Sequence, residues 1–297
     1  MSLLWVFAAL IGSVGQVARN AMQSSLTRQI GTVGATQVRF LFGLPFALLF
    51  LVIVTLATGE AIPVPGLTSL AFTVAGALAQ IAATALMLVM MKSQSFAVTT
   101  AWLKTEPVIV AIAAALILRD PISLPVLAAI IIASAGVMLM SIKPGMPVWQ
   151  LGRPVLIGLL AGGLFGASAI GFRGGITHLE SGGFLIRATS TLALNLAIQT
   201  TTLLIWMGIF NRAALYGSFS VWRSSLFAGF LGAFASQFWF IGFALTSAAN
   251  VRTLALVEVI FATAVSRYAF KQPVSTRQII GMSVIVLGVG LLLRLQA

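Results

Sequence analysis

Two stretches of the sequence share one layout: "TEPVIVAIAAALILRDPIS" at residues 105–123 and "VEVIFATAVSRYAFKQPVS" at residues 257–275. Each places a single glutamate, Glu106 or Glu258, in an apolar run and ends on a Pro-x-Ser turn. Matching positions in these two stretches are separated by 152 residues. Only five of the 297 residues are acidic, so two glutamates at equivalent positions indicate an internal repeat.

The repeat extends to both sides of these stretches. We therefore divide the chain into two halves, residues 1–145 and residues 146–297, which form one membrane domain. The same separation aligns Ser95 with Ser247, Ala97 with Ala249, Pro121 with Pro273, Ser123 with Ser275, Gly136 with Gly288, Val137 with Val289 and Leu139 with Leu291.

The composition places the chain in a membrane. It is 60% hydrophobic and 7% charged, whereas about a quarter of the residues of a soluble domain are charged. The bilayer is the solvent that suits such a chain. The net charge of +12 does not indicate a nucleic-acid partner, because the Lys and Arg residues are scattered singly between apolar segments.

The composition also argues against an enzyme. Cysteine is absent and His178 is the only histidine, which excludes disulfides, thiol catalysis and thiolate metal sites. No paired carboxylates stand at a catalytic spacing, and no phosphate-binding G-x-x-x-x-G-K-[ST] motif occurs. We expect no catalytic residue, no metal and no cofactor.

The apolar segments predict an all-α integral membrane fold with ten transmembrane helices. Five helices per half is an odd number, so the second half must be inverted relative to the first. Inverted repeats are typical of secondary transporters, which bind substrate between the halves at mid-membrane depth. The predicted helices lie near 3–22, 33–57, 67–91, 95–118, 123–142, 153–177, 182–208, 222–246, 248–270 and 275–295.

The charges of the loops predict the orientation. The breaks after the odd-numbered helices carry bases and no acid, so the positive-inside rule places them in the cytoplasm. Both termini are then outside. A reporter that is active only in the periplasm, fused after Ala297, should work, and activity of a cytoplasm-only reporter there would reverse the assignment.

The segment "EPVIVAIAAALILRDPISLPVLAAIIIASAGVML" and its looser second copy resemble the EamA-type branch of the drug/metabolite transporter superfamily. Within that branch the chain is similar to bacterial YddG-type exporters of aromatic and other amino acids. The resemblance implies a multi-pass protein of the bacterial inner membrane. The chain departs from the family pattern at Asp120 and Gln272, where the family has Glu, and at Val259, which replaces the proline found as Pro107.

Glu106 and Glu258 are the leading site candidates, because carboxylates are costly at membrane depth unless they are paired, protonated or exposed to water. They either bind a substrate ammonium or proton, or form buried ion pairs. The intramembrane bases available for such pairs are Arg39, Lys104, Arg187 and Arg252.

The residues around Glu106 suggest how a zwitterion would be bound. Lys104 is a candidate for the substrate carboxylate, although a lysine there can also extend to the interface. Trp102 lies one turn before Glu106 and is a candidate for packing the cargo side chain, or for ordinary packing. Pro107 removes a backbone hydrogen bond and is either a hinge or a static kink.

Three further residues are candidates for the cavity wall. Gln80 and Gln237 are aligned polar residues in the middle of helices, where amides either join helices or line a cavity. Trp239 belongs to "QFWF" and adds aromatic bulk. On the first helix Gln16 and Arg19 share a face with Trp5 and Gly12, a spacing that is also ordinary helix amphipathy.

These features predict a secondary transporter that exports small metabolites, foremost aromatic and hydrophobic amino acids, by alternating access. Its expected partners are the small-molecule substrate and the lipid bilayer, with the chain as a monomer. Exporters of other metabolites or drugs, and sugar-phosphate or nucleotide-sugar exchangers, are alternatives; the exchangers need clustered Lys and Arg. An integral-membrane enzyme or assembly subunit is the alternative outside transport.

Overall fold

The computed structural model describes residues 3–93, 103, 106–119, 123–141, 152–269 and 274–296. Within these ranges the regular structure is entirely helical. The first part of the predicted helix at 95–118 lies outside them. The helices are α1 Leu4–Leu41, α2 Leu44–Thr58, α3 Leu67–Ser93, α4 Glu106–Ile117, α5 Leu124–Ser141, α6 Gly152–Thr177, α7 Phe184–Phe210, α8 Arg212–Ser220, α9 Trp222–Leu245, α10 Ala248–Leu254, α11 Glu258–Ala269 and α12 Thr276–Gln296, with a 3₁₀ turn at Ala255–Val257.

Six helical spans of the described chain are long and apolar enough to cross a bilayer. Two shorter apolar helices, Glu106–Ile117 and Leu124–Met140, accompany them. The chain is therefore a multi-pass membrane protein. The six spans are Ser25–Thr58, Leu67–Met90, Leu156–Thr177, Phe184–Phe210, Trp222–Leu245 and Thr276–Leu295.

Helix α1 contains a sharp turn where the sequence predicts a break between the first two helices. Gly31 has φ 74° and ψ 175°, values outside the helical region, which glycine adopts without steric cost. The side chain of Gln23 donates to the Ala35 carbonyl at 3.2 Å. A straight helix would hold these residues roughly 18 Å apart, so the chain must reverse its direction between them. The predicted break is therefore a single non-helical residue, Gly31, and not a loop.

Two other predicted boundaries need correction. The predicted loop between residues 208 and 222 holds helix α8, because the Asn211 side chain accepts a hydrogen bond from the Ala214 amide at 3.1 Å and caps its first turn. The predicted helix at 248–270 is not continuous, since the 3₁₀ turn Ala255–Val257 separates α10 from α11.

Both glutamates lie in helices. Glu106 belongs to α4, and Leu103, three residues before it, is helical as well. Glu258 belongs to α11 and directly follows the 3₁₀ turn Ala255–Val257.

The most extensive helix contacts join the first half of the chain to the second. Helix α3 packs along α6, and α1 packs along α9. In the predicted repeat α1 corresponds to α6 and α3 corresponds to α9, so swapping the two halves turns one of these pairs into the other. Helix α5 corresponds to α12, and these two helices pack against each other. This is the pattern expected of two repeats related by a two-fold axis.

Glycines allow these helices to approach closely. A Cβ at Gly171 of α6 would lie 2.7 Å from the Gly76 Cα of α3. The aligned glycines Gly136 and Gly288 both lie between α5 and α12, where a Cβ would come within 2.7 Å of the Gly281 carbonyl and 2.5 Å of the Ala133 amide nitrogen, respectively. Small residues at such contacts let helix backbones approach in membranes.

A further contact joins the halves outside the helices. Glu60, in the segment after α2, accepts a hydrogen bond from the Gly183 amide through Oε2 at 2.7 Å. Gly183 precedes the first residue of α7, so the carboxylate caps the N-terminus of a helix in the other half. Gly182 beside it has φ 87°, a conformation that favours glycine.

Candidate functional site: a charged cavity between the halves

A cavity lies where helices of both halves meet. Its wall combines two carboxylates, two guanidinium groups, amides and aromatic rings. Concave sites with a few polar groups among aromatic side chains are typical of small-molecule binding. The lining residues are Gln16, Asn20, Arg39, Gln80, Leu103, Glu106, Phe165, Phe172, Ser236, Trp239, Phe240, Phe243, Arg252 and Glu258.

Glu106 forms an ion pair across the two halves. Its Oε1 lies 3.0 Å from Nε of Arg252 in α10, and both side chains are buried. The two atoms are not aligned as a hydrogen bond, so Coulomb attraction carries this contact. Arg252 is one of the four bases that the sequence offers as partners for the glutamates. The carboxylate and the guanidinium neutralise each other, which lowers the free-energy cost of burying both groups inside a membrane protein.

Aromatic rings hold the guanidinium of Arg252 in position. Its Cζ lies 5.2 Å from the ring centroid of Trp239 and 5.3 Å from that of Phe243. A guanidinium over an aromatic face is attracted by the ring quadrupole. Trp239 therefore contributes to the site through Arg252 as well as through its own apolar surface.

Glu258 is held by the first helix. Its two carboxylate oxygens accept hydrogen bonds from Gln16 Nε2 at 3.1 Å and from Asn20 Nδ2 at 3.3 Å. Gln16 also accepts a hydrogen bond from Trp239 Nε1 at 3.0 Å through its Oε1. The aligned glutamates are thus held differently, Glu106 by a cation and Glu258 by two amides among its contacts.

Sequence reasoning left Gln16 as ordinary amphipathy and did not name Asn20. The two stand one helical turn apart, and Arg19 beside them donates to Asn20 Oδ1 through Nη2 at 2.8 Å. The sequence signal for these site residues is a helix face that carries glutamine, arginine and asparagine within an otherwise apolar helix. That face belongs to the packed interior, since Arg19 is only 2% exposed.

The two aligned glutamines have different surroundings. Gln80 lines the cavity and accepts a hydrogen bond from Gln199 of the second half, Oε1 to Nε2 at 2.8 Å. Gln237 donates to the Thr189 hydroxyl at 2.7 Å and is not among the described residues that line this cavity. Gln80 thus joins helices and lines the cavity, whereas Gln237 joins α9 to α7.

The remaining predicted residues can be placed only in part. Trp102 and Lys104 lie outside the described residues. Pro107 lies in α4 beside Glu106 and is buried. Its hinge role stays a prediction.

Comparison with known proteins gives a family match in the second half of the chain. Residues 152–294 match the family model described as EamA-like transporter family. No curated protein matches the chain. A solved structure titled only "Crystal structure of protein" aligns with 99% of this chain and 98% of its own, with a TM-score of 0.72 and 14% identity. At that identity the likeness establishes a shared fold, so the comparisons identify a multi-pass membrane protein whose residues 152–294 match an EamA-like transporter domain.

Proposed function

We propose that this protein is a secondary transporter that exports small metabolites, with aromatic and hydrophobic amino acids as its principal cargo. The observation that carries the proposal is the cavity between the halves, which combines both charge signs with five aromatic residues, four Phe and one Trp, contributed by α6 and α9. The family match in residues 152–294 supports a transporter and not an enzyme.

An amino acid zwitterion presents an ammonium, a carboxylate and a side chain, and each needs a partner once water is removed. Carboxylates in the cavity wall suit the ammonium, and guanidinium groups suit the carboxylate. Phe172 and Phe240, whose ring centroids are 4.8 Å apart, offer an apolar surface for the side chain. The wall therefore complements all three parts of such a cargo.

The packing between the halves supports alternating access. The α3–α6 and α1–α9 contacts exchange under the two-fold relation, so rocking one half against the other can open either side in turn. The Glu60–Gly183 hydrogen bond lies where a loop of one half meets a helix start of the other. We propose that such contacts part and re-form in each transport cycle, in a ten-helix protein with both termini outside.

A second cargo class is favoured by the buried charges. Arg19, Arg39 and Arg252 are buried in the described interior, against the two carboxylates Glu106 and Glu258. An excess of guanidinium groups suits a cargo with net negative charge, such as a sugar phosphate. Transport rates in liposomes distinguish the two cargo classes, since a sugar phosphate would then move faster than any amino acid.

Purified protein in liposomes should release loaded L-phenylalanine and L-leucine faster than protein-free liposomes do. Glycine should be slower than both, because it lacks the side chain that the aromatic wall binds. Runs with and without a pH gradient establish proton coupling. If no amino acid moves faster than in empty liposomes, the proposed cargo is wrong.

Within the same assay, Trp239→Ala should slow L-phenylalanine more than glycine. Loss of the ring removes apolar contact worth about 1–2 kcal/mol, which corresponds to roughly tenfold in transport efficiency. Trp239→Phe keeps a ring beneath Arg252 but cannot donate to Gln16, so it separates the two roles of Trp239. Trp206→Ala, at a position that is 42% exposed, is the matched control and should leave the cargo ratio unchanged. Equal slowing of both cargoes by Trp239→Ala would exclude contact with the side chain.

A further inference from the structure

We propose that Arg39 is the residue that binds the carboxylate of the cargo, an inference that rests on the proposed transport function. Arg39 is the last basic residue of α1, lines the cavity and is 4% exposed. Its Nη1 donates to the Thr84 hydroxyl of α3 at 2.9 Å. A guanidinium has five N–H donors, so this single neutral acceptor uses a small part of its capacity.

The charges around Arg39 call for an anion. Arg39 shares the cavity wall with a second cation, Arg252, and with the carboxylates Glu106 and Glu258. Among the residues that the structure describes, no carboxylate lies within ion-pair distance of it. A buried guanidinium stays charged, and burial without a counter-ion is costly. A negatively charged ligand in the cavity would supply the missing charge.

The cavity's carboxylates are engaged with other residues. Glu106 contacts Arg252, and Glu258 accepts hydrogen bonds from Gln16 and Asn20. Arg252 has a carboxylate and two aromatic rings beside it, whereas Arg39 lies over a single ring, with its Cζ 5.3 Å from the Phe40 centroid. Of the two guanidinium groups in the described cavity wall, Arg39 is therefore the one suited to a substrate anion.

A second donor stands beside Arg39. Gln80 lies one helical turn before Thr84 on α3 and lines the same cavity. Its Oε1 accepts from Gln199, which leaves its Nε2 as the donor of that amide. A carboxylate at this wall would meet a guanidinium from α1 and an amide from α3. Arginine binds carboxylates with two parallel hydrogen bonds, a geometry that lysine cannot provide.

The test compares L-phenylalanine with L-phenylalaninamide, which keeps the ring and the amino group and lacks the carboxylate. In the wild type, phenylalanine should inhibit labelled phenylalanine efflux at least about tenfold more strongly than the amide, the scale of a hydrogen-bonded charge. Arg39→Gln should weaken inhibition by phenylalanine by a similar factor and leave inhibition by phenylalaninamide unchanged. The preference for phenylalanine over its amide then disappears.

The matched control is Arg187→Gln, because "TQVRFLFGLPF" and "FLIRATSTLAL" place Arg39 and Arg187 at similar positions in the two halves of the sequence. In the structure Arg187 lies at the start of α7 and donates through Nε to the Ser181 carbonyl at 3.3 Å. This variant should keep the preference of the wild type. Arg39→Lys keeps the charge but lacks the paired donors, so its preference for phenylalanine over the amide should lie between those of the wild type and Arg39→Gln. This variant also provides the test if Arg39→Gln does not fold.

The outcomes separate this inference from the proposed function. A wild-type preference retained in both Arg39 variants would overturn the role of Arg39. If Lys104→Gln alone abolishes the preference, the carboxylate is bound by Lys104 and the proposal is again wrong. If the wild type moves no amino acid, the proposed cargo fails, and thermal stabilisation of purified protein by 3-phenylpropionate over 3-phenylpropanamide still tests Arg39. Loss of that difference in Arg39→Lys and Arg39→Gln supports the inference, and its persistence contradicts it.

Discussion

Arg252→Met should destabilise the folded protein by about 3–5 kcal/mol, the usual result of removing one partner of a buried ion pair. The change takes away the cation that lies 3.0 Å from Glu106 and leaves that carboxylate inside the protein. It also removes the guanidinium from the faces of Trp239 and Phe243. The measurement is the unfolding temperature and the yield of monodisperse protein in detergent.

Two further variants define the cause. Glu106→Gln combined with Arg252→Met should recover much of the loss, because neither charge then remains buried alone. Arg223→Met is the matched control, since Arg223 also lies over a tryptophan, 5.5 Å from the Trp222 ring, but is exposed. If Arg252→Met costs no more than Arg223→Met, the ion pair does not stabilise the fold. If the double variant is as unstable as Arg252→Met, the aromatic contacts of Arg252 and not its charge explain the loss.

Gly288→Ala should cost about 1–3 kcal/mol, the scale of overpacking in a close contact. The new methyl group would lie 2.5 Å from the amide nitrogen and 2.8 Å from the Cα of Ala133 in α5. These are backbone atoms, which cannot move aside as a flexible side chain can. The two helices must therefore separate, and we expect a lower unfolding temperature and slower transport.

The control is two residues away on the same helix. A Cβ at Gly290 meets nothing within 4 Å, so Gly290→Ala should be neutral or stabilising, because alanine is the better helix former. Gly136→Ala, at the aligned position in the first half, should behave like Gly288→Ala. Equal stability of the Gly288 and Gly290 variants would show that the α5–α12 contact is looser than the structure indicates.

The sequence predicts the membrane class and most helix positions because both depend on local composition. Apolar runs of sufficient length mark the spans, and glycine, proline and charge mark the breaks. The helical setting of both glutamates was also predictable, since Glu106 lies in α4 and Glu258 in α11. The sequence does not predict helix α8, because its short polar segment resembles a loop. The Asn211 side chain that caps its first turn is the local signal for this helix.

The partners in the site depend on contacts between distant parts of the chain. Four bases were equal candidates for pairing with the glutamates, and only packing of α10 against α4 brings Arg252 to Glu106. The site predicted from the sequence centred on Trp102, Lys104 and Glu106, with Gln80, Gln237, Trp239 and Glu258 as further candidates. Trp102 and Lys104 lie outside the described residues, and the described cavity adds Gln16 and Asn20 of α1. No single-segment pattern contains that information.

The interlocking of α3 with α6 and of α1 with α9 has a consequence for how the protein is made. Synthesis proceeds from the N-terminus, so the first half leaves the ribosome before its main packing partners exist. Until α6 and α9 enter the bilayer, the glycine faces of the early helices contact lipid or the insertion machinery. During that time Glu106 has not yet formed its ion pair with Arg252. Quality control of a stalled or truncated chain would therefore meet an incomplete protein in which helix faces lack their packing partners and Glu106 lacks Arg252. Both features are buried in the completed protein.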